Sequence, residues 1–272
     1  MFELAIVIVL VFAVCMMAYR GGGVNEFQIL QREYAAQTPW DELLGERLPV
    51  VIRALPKSLQ GAWSLSRTAT KRWPVLVHDA ENARQYKTTW DAYVDEGGVN
   101  QLVNTDEIAR IAKLDETLQN WTADGFHKWY WVPTGAPTPI MAPPSYVRGV
   151  SATVADATVL TNTDGGALHI WLAHAGAIPA NVVPALKGKN PWVQTTDDIP
   201  WISEVKYVEV ILRPGNALLI PRHWYYAVSA AAPMDPATPQ ATWYWIGEFH
   251  SPMSWLVGAV TSDGQISHPL NL

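Results

Sequence analysis

Residues 208–228 read VEVILRPGNALLIPRHWYYAV, and this stretch decides the fold class of the chain. Its first five residues form a strand-like run that leads into Pro214-Gly215. This pair suits a type II turn, because glycine accepts the positive φ that the third turn position requires. Four apolar residues, 217–220, come after the turn, followed by Pro221 and an aromatic group. The stretch therefore predicts two short strands joined by a tight turn, with a third strand directly after them.

Further short strand-like runs, separated by turn residues, fill the second half of the chain. Together with those above, the runs are 152–161, 167–174, 205–212, 217–220, 224–228 and 241–249. Runs of this length and spacing are typical of a β-sandwich or barrel. The clearest helix signal lies earlier, with apolar residues at helical spacing at Ile108, Ile111, Leu114, Leu118 and Trp121. We therefore predict a mainly β (α+β) domain with flanking helices gathered towards its N-terminal side.

The 205–228 stretch resembles the C-terminal half of the cupin-like jumonji-C (JmjC) family, whose members carry a PGD-x-L-x-IP-x-x-W-x-H-x-V pattern there. Leu48 to Leu55, LPVVIRAL, is similar to the opening strand of the same family. The resemblance extends over most of residues 45–250 and implies a double-stranded β-helix. Active members of the family are Fe(II)- and 2-oxoglutarate-dependent oxygenases, which hold iron with two histidines and one carboxylate.

This chain departs from the family pattern at each position that an iron site requires. Tyr226 stands where the family has its distal histidine. Counting back from Gly176, matched to the turn glycine of the family, places Thr163 at the first histidine and Gly165 at the acid. The position of the cosubstrate lysine, two residues after that glycine, is Ile178. The resemblance therefore implies a degenerate member with no metal ion and no cofactor.

A shift of this count by one residue leaves the metal motif incomplete. It places Asn162 and Asp164 at the first two ligand positions, which supplies an acid and still no histidine. None of the seven histidines is followed two residues later by Asp or Glu, so the His-x-Asp/Glu motif is absent from the sequence. If a metal is bound, the fallback ligands are Asp164, His169 and His223.

The N-terminal residues 4–19 read LAIVIVLVFAVCMMAY and contain neither a charge nor a helix breaker. As a helix this run is about 24 Å long, close to the hydrocarbon thickness of a thin membrane. It predicts one transmembrane helix, with a cleaved signal peptide as the alternative. Basic residues follow the run and none precedes it, which predicts a C-terminal domain in the cytoplasm. The anchor residues are Leu4, Ile6, Ile8, Leu10, Phe12 and Val14.

The predicted organisation has four parts: a transmembrane anchor at 1–20, a linker and entry segment at 21–44, a JmjC-like cupin domain at 45–250 and a C-terminal tail at 251–272. The formal net charge of −6 comes without a basic cluster and argues against a nucleic-acid partner. The single cysteine, Cys15, lies inside the apolar run. We therefore expect neither a disulfide within the chain nor thiol catalysis.

These features predict a pseudoenzyme: a membrane-anchored, non-catalytic cupin-like protein that acts as a structural or protein-interaction module. Its predicted partners are the lipid bilayer and neighbouring scaffold, coat or capsid proteins. A more specific hypothesis is a minor capsid protein of a large DNA virus, located where the virion membrane meets the shell. Two alternatives stay open: an Fe(II)/2-oxoglutarate-dependent hydroxylase with atypical ligands, and a sugar- or small-ligand-binding module that uses some of the 14 tryptophans.

Overall fold

The computed structural model describes residues 6–7, 9–11, 13, 28–36, 38–61, 73–79, 84–96, 101–103, 105–125, 132–133, 137–144, 146–153, 155–230, 241–252 and 254. The helices are α1 (Trp40–Leu43), α2 (Lys57–Gln60), α3 (Trp90–Asp95), α4 (Thr105–Ile111), α5 (Leu114–Gly125) and α6 (Val183–Leu186). The first strands are β1 (Leu30–Glu33), β2 (Val50–Arg53), β3 (Pro74–Asp79), β4 (Arg84–Thr89), β5 (Gln101–Leu102) and β6 (Val132–Pro133). The later strands are β7 (Thr138–Ala142), β8 (Val147–Ala152), β9 (Ala157–Asp164), β10 (Leu168–His174), β11 (Val208–Leu212), β12 (Asn216–Pro221), β13 (Trp224–Ala230) and β14 (Thr242–His250).

The consecutive strands β7 to β14 form the two layers of a barrel. The first sheet runs β7-β14-β9-β12 and continues through β2 to β1, with β6 also paired to β14. The second sheet is four-stranded and runs β11-β10-β13-β8. This strand order is that of a jelly roll, in which the chain crosses repeatedly between two packed sheets. A separate small sheet, β4-β3-β5, lies outside the barrel order.

Alternation along the strands divides the core into an interior and two outer clusters, because successive side chains point to opposite faces. On β9, Leu160 packs between the two sheets, whereas Val159 packs on the outer face of the first sheet with helices α4 and α5. On β10, Leu172 belongs to the interior and Trp171 to the outer face of the second sheet. The chain between β10 and β11, which includes α6, covers that second outer face.

The turn between β11 and β12 has the predicted geometry. Gly215 has a φ of 79°, and the backbone N–H of Asn216 donates to the carbonyl of Arg213 at 3.2 Å. The Nδ2 group of Asn162, on the neighbouring β9, donates to the carbonyl of Leu212 at 2.8 Å. This buried amide therefore ties the strand before the turn to the first sheet.

One element differs from the sequence prediction for an identifiable reason. The predicted helix at 105–121 is divided into α4 and α5, since Lys113 takes a left-handed φ of 54° between them. The five prolines within residues 133–144 predict a loop or an extended arm, and strand β7 lies in this segment. Among the described strands β7 pairs only with β14, and a proline such as Pro139 is tolerated on such an edge strand.

The predicted transmembrane helix is wrong. Among the described residues, every helix falls short of the length and apolar character needed to cross a bilayer. Crossing takes about 20 consecutive helical residues of predominantly apolar character. Of the predicted anchor residues, Ile6 and Leu10 are exposed, and the rest lie outside the described residues: Leu4, Ile8, Phe12 and Val14. The single-pass location and the virion role derived from the anchor are therefore not supported.

Candidate functional site

The barrel interior contains a charged and aromatic centre within apolar walls. Tyr226 of β13 is paired in register with Leu172 of β10 on one side and with Ser151 of β8 on the other. Arg148 of β8 is paired with Val228, and a bulge in this strand pair separates the two registers. The phenol of Tyr226 is the largest influence that raises the pKa of Arg148, and burial of the guanidinium opposes it. Arg148 and Tyr226 therefore form the centre of this site.

Two further tyrosines come close to Arg148. The hydroxyl of Tyr244, on β14 of the opposite sheet, donates to the hydroxyl of Tyr146 at 3.3 Å. Their rings meet edge to face, with centroids 6.3 Å apart. Burial raises the pKa of Tyr244 well above its ordinary value, and burial also raises the pKa of Tyr226. At neutral pH these phenols are therefore uncharged hydrogen-bonding groups around a fixed positive charge.

A chain of polar contacts at the end of β14 combines the residue types of a hydrolase triad. Nε2 of His250 lies 3.4 Å from Oε2 of Glu248, and Nδ1 of His250 lies 3.2 Å from Oγ of Ser254. Ser254 is fully buried, however, and its Oγ accepts from the backbone N–H of Ser251 at 3.1 Å. The N–H of Ser254 donates back to Oγ of Ser251 at 3.3 Å, so the two serines form a reciprocal pair of hydrogen bonds. We therefore interpret Ser254 as a residue that fixes the local backbone rather than as a nucleophile.

The centre of the barrel does not fit an Fe(II) site of the kind that active members of the JmjC family hold. A ferrous ion needs neutral or anionic donors on one face, whereas Tyr226 lies beside the guanidinium of Arg148. Repulsion between that charge and a divalent cation amounts to several kcal/mol in a protein interior. In the part of the chain that the structure describes, no group of three or more His, Cys, Asp or Glu side chains is arranged to hold a metal ion.

The positions predicted to be degenerate ligands lie in different parts of the fold. Thr163 is on β9 of the first sheet, where its hydroxyl donates to the carbonyl of Trp243 at 2.9 Å. Gly165 follows in the turn after β9 with a φ of 91°, and Tyr226 is on the second sheet. Ile178 packs on the outer face of the second sheet and does not enter the interior. The structure therefore does not bring these four positions together.

The fallback ligands are also spread along the barrel. Oδ1 of Asp164 accepts from the N–H of Gly165 at 2.8 Å, and His169 is exposed near the start of β10. His223 directly precedes Trp224, which is paired in register with His174 at the far end of β10. Five residues along a strand separate His169 from that far end by about 17 Å. His169 and His223 are therefore too far apart to share one metal ion.

The far end of the barrel is closed around His174. Its Nδ1 accepts from the N–H of Gly176 at 3.1 Å, and its ring meets the edge of Trp224 with centroids 5.4 Å apart. Burial lowers the pKa of His174, and the nearby charges of His223 and Arg47 lower it further. The indole of Trp224 donates to the carbonyl of Arg47 at 3.0 Å. His174 therefore acts as a neutral hydrogen-bond acceptor in this cap.

The outer face of the second sheet carries an exposed surface on the edge strand β11. We call Trp192, Tyr207, Glu209 and Ile211 the β11 surface. The indole of Trp192 donates to Oε1 of Glu209 at 2.8 Å, and Tyr207 stacks on the buried Trp171 with centroids 5.7 Å apart. Tyr207 is 53% exposed and Ile211 is 61% exposed. These contacts hold large apolar groups rigidly on the outside of the protein.

The two edge strands of the second sheet, β8 and β11, differ in the hydrogen bonding of their outer backbone groups. The edge strand β8 is covered, since the N–H of Val150 donates to the carbonyl of Lys189 and the N–H of Gly188 donates to the carbonyl of Val150. Among the described residues, β11 pairs with β10 alone. An uncovered edge strand presents backbone donors and acceptors to any extended chain that approaches it. The β11 surface therefore combines apolar side chains with backbone groups able to pair.

No protein-family model matches this chain, and no curated protein matches it. The resemblance to the JmjC family therefore stays a prediction that rests on the residues quoted for it.

The sequence analysis did not predict Arg148, Glu248 or the β11 surface as functional features. A lone charge such as Arg148 in an otherwise uncharged strand segment, 147–152, was the available signal, because such a charge has to be accommodated if its strand packs inward.

Proposed function

We propose that this protein is a non-catalytic interaction module that binds a protein partner through the β11 surface. The observation that carries the proposal is the exposure of Tyr207 and Ile211 beside β11, which among the described strands pairs with β10 alone. Exposed apolar groups that are held rigidly mark interaction sites, and aromatic residues supply much of the energy at such sites. An edge strand adds main-chain hydrogen bonds to an extended segment of the partner.

The segment that leads into β11 adds an exposed and strained tryptophan. Trp201 has a left-handed φ of 69° and is 56% exposed. A bulky residue in this conformation costs on the order of 1–2 kcal/mol. A partner that also contacts Trp201 would bury its exposed ring, and aromatic rings supply much of the energy at binding sites.

The interior supports the non-catalytic part of the proposal. Tyr226 and Arg148 occupy the centre of the barrel with a phenol and a guanidinium, and these groups provide hydrogen bonding and charge without a nucleophile or a general base suited to neutral pH. Ser254, next to His250, is held by reciprocal hydrogen bonds with Ser251. The barrel is therefore best interpreted as a rigid support for its outer surface.

Site-specific photo-crosslinking in the cells that produce the protein tests this proposal. The variant Tyr207→p-benzoyl-Phe places a photoreactive ring on the β11 surface, and Val147→p-benzoyl-Phe places the same ring on the opposite edge of the same sheet. We expect discrete protein adducts from position 207 and few from position 147. Equal yields at both positions, or adducts with carbohydrate alone, would contradict binding of a protein at the β11 surface.

A second measurement tests the absence of catalysis directly. The full-length protein is loaded anaerobically with Fe(II) and 2-oxoglutarate, and its iron content and 2-oxoglutarate turnover are then measured. We expect iron far below one ion per chain and no turnover, because Arg148 disfavours a cation next to Tyr226. One iron per chain with turnover would overturn the proposal and identify an oxygenase with atypical ligands.

A further inference from the structure

We propose that the partner seated on β11 is a second copy of this chain, paired antiparallel along the same strand about a two-fold axis at Val210. This inference rests on the proposed function and names its partner. An isologous contact of this kind extends the four-stranded second sheet of each copy into one continuous sheet. It also satisfies backbone groups of β11 that pair with no other described strand.

The sequence of β11 favours the register centred on Val210. In that register Glu209 of each copy lies opposite Ile211 of the other, and both of these positions are exposed. Tyr207 comes opposite Arg213, a pairing that allows a cation–π contact. No like charges face each other among these positions.

The neighbouring registers are less favourable. Centring on Glu209 places the two Glu209 carboxylates directly opposite each other, and like charges in that position destabilise a strand pair. Centring on Ile211 places Val208 opposite Pro214, which lies in the turn and has no N–H to donate. Registers centred between two residues would place the inward-facing side chains of one copy opposite the outward-facing side chains of the other.

Two other sheet edges, those at β8 and β1, are protected against such pairing, and this contrast supports the choice of β11. The β8 edge is covered by residues 187–189. The strand β1, at the end of the first sheet, presents the exposed polar residues Gln31, Arg32 and Glu33. The only charge within β11 is Glu209, and the indole of Trp192 already donates to its carboxylate. β11 is therefore the edge with the least protection against a second copy among those compared.

A strand pair of five residues buries little area by itself, so the side chains of the β11 surface have to contribute. Stable interfaces bury about 1,200–2,000 Å² in total. Tyr207 and Ile211 lie on the outer face of the extended sheet, where the two-fold axis brings both copies of each residue near the contact. The expected complex is thus a reversible dimer whose strength depends on these exposed apolar groups.

Sedimentation equilibrium of the full-length protein and three variants tests both the partner and the register. In the dimer the variant Ile211→Glu creates two pairs of facing carboxylates, because each new carboxylate lies opposite Glu209 of the other copy. We therefore expect dimer affinity to fall by about 100-fold or more. Ile211→Lys places an ammonium opposite the same carboxylate, and we expect affinity within about tenfold of the wild type. Val147→Glu, on the opposite edge of the same sheet, is the matched control and should leave the dimer intact.

The pattern across these variants decides the outcome. A wild-type protein that stays monomeric up to roughly 0.2 mM would overturn the dimer. Equal losses for Ile211→Glu and Ile211→Lys would overturn the register, and no loss for Ile211→Glu would overturn the use of β11. If the protein is monomeric while position 207 still crosslinks to another protein, the proposed function stands and only the identity of the partner fails. Near-ultraviolet circular dichroism confirms that each variant is folded.

Discussion

Arg148 and Tyr226 lie on the neighbouring strands β8 and β13, and the phenol of Tyr226 raises the pKa of the Arg148 guanidinium. The resemblance to the JmjC family makes Tyr226 the counterpart of a metal-binding histidine, and the structure adds a fixed positive charge beside it. The charge of Arg148 therefore disfavours a divalent cation bound at Tyr226.

Replacing Arg148 with an apolar residue of similar length should stabilise the protein. Within the described part of the chain Arg148 forms no ion pair, so its charge is buried without a direct carboxylate contact. We expect Arg148→Met to raise the free energy of unfolding by about 1 kcal/mol, measured by urea titration. Arg148→Lys keeps the charge and serves as the control. A loss of more than about 2 kcal/mol in Arg148→Met would show that the contacts of Arg148 with the tyrosines outweigh the cost of its burial.

Stability should fall as the pH drops below neutrality, and His174 should account for part of the fall. Burial, followed by the charges of His223 and Arg47, lowers its pKa below the ordinary value of 6.5. The unfolded chain then binds the proton more tightly than the folded chain. The stability that neutral His174 contributes is therefore fully present above pH 6.5 and is lost as the pH falls from there through the pKa of His174 in the folded chain. The limiting slope of the free energy of unfolding is about 1.4 kcal/mol per pH unit.

Urea titrations between pH 5 and pH 7.5 measure this dependence, with His174→Gln as the control. Glutamine keeps an acceptor for the N–H of Gly176 but does not titrate. We expect the variant to show a flatter pH profile than the wild type over that range. An unchanged slope in His174→Gln would assign the acid sensitivity to other groups.

The local features of this fold were readable from the sequence, and the contacts between distant segments were not. The Pro214-Gly215 turn needs only adjacent residues, so its type II geometry was predicted. The count from Gly176 assumed that this glycine forms a turn between strands, whereas the turn between β9 and β10 lies at Gly165 and Gly166. Gly176 belongs to a 3₁₀ turn after β10. Loop lengths between strands are not encoded in any local pattern, so a count of residues from one glycine does not determine which positions share a site.

The contact between Arg148 and Tyr226 was beyond sequence reasoning for a similar reason. It depends on the pairing of β8 with β13 and on the bulge between Tyr226 and Val228, which shifts the register by a residue. Alternation of apolar and polar residues predicts which face of a strand is buried, but it carries no information about which strand lies opposite. The prediction for the apolar N-terminal run failed for a different reason, because the transmembrane helix was predicted there from composition alone.

The turn after β9 should tolerate no side chain at Gly165. Its φ is 91°, and an added Cβ would collide with the carbonyl oxygen of Ala241 at the start of β14. We expect Gly165→Ala to lower the free energy of unfolding by about 2–4 kcal/mol, measured by urea titration. Gly45→Ala is the matched control, because nothing lies within 4 Å of a Cβ at that position. Equal stability of the two variants would argue against this turn as a rigid joint of the barrel.

Trp201 should reduce stability in the free protein and contribute to binding in the complex. Both Trp201→Gly and Trp201→Ala remove the exposed ring, but only glycine relieves the left-handed φ of 69°. We therefore expect Trp201→Gly to be more stable than Trp201→Ala by about 1 kcal/mol in urea titrations. Both variants should also reduce the crosslinking yield from position 207, because the ring is absent in each. If the alanine variant is as stable as the glycine variant, the backbone at Trp201 stores no strain; if crosslinking is unchanged in both, the ring takes no part in binding.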